Sequence, residues 1–74
     1  MTQGEKLKDL RKLKGLTQAQ LATLCQTTQA NISNAENNTR PIGLYMAKKL
    51  AQALGVHFVT LLDCDHEPKR NINA

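Results

Sequence analysis

Seventy-four residues can bury one small core and little else, which excludes a chain that holds both a core and an enclosed active-site cleft. Ten Lys and Arg against six Asp and Glu leave a formal charge of +4 and favour a polyanionic partner, although Lys6, Lys8, Arg11, Lys12 and Lys14 would equally make an ordinary solvated helix face. No apolar run reaches membrane-spanning length and no signal-peptide pattern opens the chain, so a cytoplasmic protein without membrane contact is expected.

In chain order the pattern predicts five helices and no strands, an all-α fold. Residues 5–14 form the first helix, with Leu7, Leu10 and Leu13 turned inward and Gly15 as its punctuation. Thr17 followed by Gln20 is a capping box that opens the second, over 17–25, whose apolar stripe is Leu21, Ala22, Leu24 and Cys25. Thr28 is an N-cap for the third, over 28–36, which buries little beyond Ile32 and Ala35. Residues 37–41, with two Asn and a Pro, make a loop. Leu44, Ala47, Leu50, Ala51 and Leu54 mark a fourth helix that stops at Gly55, and Phe58, Leu61 and Leu62 a short fifth. From 63 to 74 the periodicity ends, so the chain divides into a folded domain over 1–62 and a polar C-terminal tail, flexible or associated with a dimer contact.

The third helix carries the chemistry. Gln29, Asn31, Ser33 and Asn34 are uncharged donor and acceptor side chains where a surface helix would ordinarily carry Lys and Glu. A Gln or Asn can bond both N6 and N7 of an adenine in the major groove. Two short helices with a tight polar turn between them are a known way of presenting such a strip.

Residues 6–62 resemble the helix-turn-helix family of Cro, phage-repressor and xenobiotic-response-element-type regulators. The matching features are GLTQ at 15–18, Gln18 opening the first motif helix, Ala22 at the helix crossing, Ile32 in the core of the second, KLAQALGV at 49–56 and FVTLL at 58–62. Two positions depart from the family: Gln26 stands where a turn Gly is usual, at a cost on the order of 1 kcal/mol if it must be left-handed, and Ala35 is smaller than the usual Ile or Val. The resemblance implies a compact five-helix, lambda-repressor-like DNA-binding domain. It further implies a sequence-specific regulator of transcription on double-stranded DNA, a repressor that acts as a homodimer on a palindromic operator. An antitoxin-type regulator that binds a toxin protein as well as promoter DNA is the alternative.

Residue roles follow from the same resemblance. Gln18 would bond a phosphate at the start of its helix. Gln29, Ala30 and Asn34 would read bases, Ala30 through a thymine methyl. Thr28, Asn31, Ser33 and Asn37 would divide between phosphate and solvent, and Arg40 would reach a phosphate or the minor-groove edge. Arg11 and Glu36 match the positions of a buried, helix-bridging salt bridge, and Val59, off the inward stripe of the last helix, is the candidate dimer contact.

Nothing in the chain suggests an enzyme. His57 and His66 stand in no nucleophile arrangement, and no glycine-rich phosphate loop exists. Cys64 and His66, with Asp63 and Asp65, fall short of a closed metal site, so neither metal nor cofactor is expected. Cys25 on an apolar stripe and Cys64 in the tail read as reduced thiols rather than a disulfide.

Overall fold

The structure, a computed structural model, describes residues 2–62. Five helices make up this part and no strand occurs among the described residues: α1 (Gln3–Leu13), α2 (Gln18–Leu24), α3 (Gln29–Glu36), α4 (Leu44–Leu54) and α5 (Val59–Leu62). The predicted tail, with Cys64, His66 and the acidic residues beside them, lies outside the described residues.

Local chemistry accounts for where the helices start. Thr17 accepts from the Gln20 amide at 3.0 Å while Gln20 Oε1 accepts from the Thr17 amide at 2.8 Å, the reciprocal box expected from the sequence. Thr28 caps α3 by accepting from the Asn31 amide at 3.1 Å. The first helix begins two residues before the predicted start, because Thr2 and Glu5 form a second capping box, with bonds of 3.1 and 2.9 Å. That cap holds Glu5 below the usual carboxylate range, chiefly through its bond to the Thr2 backbone.

The first three helices stop by a common device. After α1, α2 and α3 one residue turns left-handed, and the next amide reaches back to the last turn: Leu16 to Arg11 at 3.1 Å, Thr27 to Ala22 at 2.9 Å and Thr39 to Asn34 at 2.9 Å. The left-handed residues are Gly15, Gln26 and Asn38, and α4 ends in the same way at Gly55, with the Val56 amide reaching the Ala51 carbonyl at 3.0 Å. Gln26, at φ 57°, lacks the freedom of glycine. Gln26→Gly is therefore expected to stabilise the domain by about 1 kcal/mol and to raise its melting temperature by roughly 4–8 °C. Thermal unfolding followed by circular dichroism checks this, and an unchanged or lower midpoint would contradict it.

Leu7, Leu21, Ile32, Leu50, Leu54 and Leu61 are fully buried, with Cys25, Ala22, Ala35, Ile42 and Ala47 around them. α3 packs on both α1 and α2, and α5 on α1 and α4. Three residues assigned inward by periodicity are instead exposed: Leu13 (79%), Leu24 (57%) and Leu44 (53%). Each is the first or last residue of its helix and lies to one side of the face that is buried. Phe58 is half-buried just ahead of α5, and Val59 is 40% exposed.

Candidate nucleic-acid interface

On α3, Ile32, Ala35 and Glu36 face the core. The opposite face carries Ala30 and Asn37, both exposed, with half-buried Ser33 and Asn34 beside them. Gln29 and Asn31, also exposed, flank this strip on its two sides. Side-chain bonding divides the set. Asn31 Nδ2 donates to Thr27 Oγ1 at 2.8 Å, and Asn37 Nδ2 to Ser33 Oγ at 3.4 Å, while the Thr28 hydroxyl is used as the cap. Asn34 forms no side-chain hydrogen bond within the described residues, and its amide is available to a ligand.

Gln18, expected at a phosphate, is half-buried and takes part in a chain of contacts behind α3. Its Nε2 donates to Glu36 Oε1 at 3.0 Å, and its Oε1 accepts from Gln29 Nε2 at 3.4 Å. Glu36 is in turn held by Arg11, whose Nε and Nη2 donate to the two carboxylate oxygens at 2.5 and 3.1 Å. The side chains are 10% and 1% exposed. A third Arg11 bond, from Nη1 to the Leu16 carbonyl at 2.8 Å, anchors the turn between α1 and α2. The hydrogen bond to Glu36 raises the guanidinium above the usual arginine range, against the opposing effect of burial. One ion pair thus ties α1 to the end of α3 and, through Gln18, to the start of α2.

Arg40 is exposed on the loop after α3. Between that loop and α3 lies a groove of about 200 Å³, lined by Asn31, Ala35, Arg40, Pro41, Ile42 and Met46.

Sequence reasoning missed the contacts that hold this loop. Asn38 Oδ1 accepts from the Gly4 amide at 3.0 Å, Asn38 Nδ2 donates to Thr2 Oγ1 at 2.9 Å, and buried Gln3 Oε1 accepts from the Ile42 amide at 3.0 Å. The Thr2 to Glu5 spacing was a legible signal for the early helix start. Nothing local signals the pairing with residues 34 to 39 positions away.

Nucleophilic chemistry has little to work with among the described residues. Cys25 is buried, its Sγ donates to the Lys49 carbonyl at 3.7 Å, and burial pushes the thiol up. No group of three or more His, Cys, Asp or Glu is brought together among the described residues. No helix of the described residues is long and apolar enough to cross a membrane.

A family model described as Helix-turn-helix matches residues 7–61. Among solved structures, the restriction-modification controller protein C.AhdI from Aeromonas hydrophila shares 34% identity, with 80% of this chain and 89% of that one covered at a TM-score of 0.76. The N-terminal DNA-binding domain of the biofilm regulator SinR from Bacillus subtilis shares 31%, covering 93% and 100% at a TM-score of 0.72. The DNA-binding domain of the P22 C2 repressor has the same fold at 23% identity, covering 95% and 92% at a TM-score of 0.81. A search of the curated proteins by sequence finds no match.

Proposed function

Because the chain belongs to the helix-turn-helix family of Cro and phage-repressor type, we propose that it is a sequence-specific regulator that binds double-stranded DNA, a repressor acting as a homodimer on a palindromic operator. The observation that carries this reading is the outward strip of α3, which is polar, almost uncharged and held rigidly from behind by a buried ion pair. A strip of amides and small side chains suits base edges better than it suits phosphates, which attract Lys and Arg.

Roles follow from position. Gln29, Ala30 and Asn34 face bases. Thr28, Asn31, Ser33, Asn37 and Arg40 lie around them for backbone contacts. Gln18 serves both as an anchor near the α2 amides and as the support of Gln29, which its oxygen meets at 3.4 Å. Val59, exposed on α5, is the proposed centre of the dimer contact, where a two-fold axis requires a self-complementary patch. Such a pair would set two copies of α3 about 34–36 Å apart, one helical turn of DNA.

Selection of binding sites from random DNA, followed by titration of the selected site and of random duplex, tests the reading. Gln29→Ala is expected to cost about 1–3 kcal/mol on the selected site and much less on random duplex. An unchanged ratio between the two would remove Gln29 from base reading. Sedimentation on a palindromic site tests the pairing, and a single protein per site at tens of micromolar would end the dimer model.

A further inference from the structure

The loop between α3 and α4 is fastened from outside itself. Its apex, Arg40 and Pro41, is exposed, and a groove of about 200 Å³ separates it from α3. The start of the loop is tied to α3 by the Thr39 amide, which reaches the Asn34 carbonyl at 2.9 Å, and beyond that backbone bond it is bracketed by the first turn of α1. On the near side Asn38, left-handed at φ 59°, joins the Gly4 amide and the Thr2 hydroxyl. On the far side the amide of Ile42, whose side chain is buried, donates to Gln3 Oε1, and that bond is itself buried. Gly4 sits so close to the end of α3 that a Cβ there would lie 2.3 Å from the Glu36 carbonyl oxygen. The two fastenings thus lie two residues to either side of Arg40.

We infer that Gln3 and Asn38 are positioning residues for DNA binding: through them the first turn of α1 fixes where Arg40 stands, and so whether its guanidinium meets a backbone phosphate. The inference rests on the DNA-binding reading given above. Neither side chain need touch DNA. A loop loosened at either end would let an exposed arginine sample many positions in solvent, and a phosphate contact would pass from an ordered one to an occasional one.

The test uses a random-sequence duplex, which isolates backbone contacts, with binding measured across a range of salt. Arg40→Ala should lower the slope of log K against log salt by about one and weaken binding about eightfold at about 0.1 M salt, the size of one phosphate contact. Gln3→Met keeps the volume of the side chain and removes its acceptor. Asn38→Gly keeps the left-handed turn and removes both side-chain bonds while leaving the buried Gln3 to Ile42 bond in place, so it tests the loop independently of the first variant. Each should reproduce most of the Arg40→Ala loss of slope, and neither should weaken binding further in the Arg40→Ala background. A role confined to stability would lower the melting temperature of these variants and leave the slope intact. A wild type that binds no duplex overturns the DNA reading and this inference with it. A wild type that binds, with the slope unchanged in both variants or in Arg40→Ala, overturns this inference alone.

Discussion

Arg11→Met is expected to lower the free energy of unfolding by about 3–5 kcal/mol, because the substitution leaves a buried carboxylate without its cation. Glu36 would retain only the 3.0 Å bond from Gln18, and the Leu16 carbonyl would lose its donor as well. A domain of this size has roughly 5–15 kcal/mol of stability in total, so the loss is a large fraction of it and, from the lower end of that range, brings the variant close to its unfolding transition. Replacing both partners, Arg11→Met with Glu36→Leu, should recover part of the loss, since an apolar pair needs no compensation. Urea denaturation of the two single variants and the double one measures the coupling. Single variants within about 0.5 kcal/mol of wild type would show that the charges are solvated and independent.

Gly4→Ala should be the second most damaging change, although on helix propensity alone it would be welcome. An alanine inside a helix is favoured over glycine by about 1 kcal/mol. Here the added carbon would lie 2.3 Å from the Glu36 oxygen, 2.6 Å from the Ala35 oxygen and 2.7 Å from the Glu36 carbonyl carbon. All three are backbone atoms with no rotamer to yield, so α1 must back away from α3. Overpacking of this kind costs about 1–3 kcal/mol or more, and the same shift strains the Arg11 to Glu36 bonds and the Gly4 to Asn38 bond. A net loss of about 2 kcal/mol is expected after the propensity gain. Gly43, with no atom within 4 Å of such a carbon, supplies the control and should change by under about 1 kcal/mol on substitution by Ala. Equal midpoints for the two variants would show that the close approach is not maintained in solution.

How much of this was legible in the sequence depends on how far apart the interacting residues lie. The caps at Thr17 and Thr28 and the stop at Gly15 act within four residues of themselves, and composition exposed them directly. The five-helix order followed from apolar spacing. Spacing failed at Leu13, Leu24 and Leu44 because apolar residues at helix ends can stand to one side of the buried face, as Leu24 does beside the buried Leu21 and Cys25. Arg11 and Glu36 could be paired only through the family resemblance, since their separation of 25 residues leaves no local trace. The Gln18 contact with Glu36 and the contacts of Thr2, Gln3 and Gly4 had no such aid. They depend on where α1 ends up against α3, and that is set by the whole core.

The buried polar supports of α3 are gathered at one end. Glu36, the last residue, is held by Arg11 and Gln18; the carbonyls of Ala35 and Glu36 lie against Gly4; and Asn38, just beyond, is tied to α1. At the other end the helix has its own Thr28 cap and the 3.4 Å contact between Gln29 and Gln18. α3 is thus clamped by buried polar contacts at its C-terminal end and held by packing on α2, its own cap and one long hydrogen bond at the end that carries Gln29 and Ala30. The buried contacts at the C-terminal end fix the angle at which the other end projects. Amide hydrogen exchange can see this gradient: the Glu36 amide should open only with the whole domain and the Asn31 amide by local fraying. Equal protection at the two positions would mean a beam fixed at both ends.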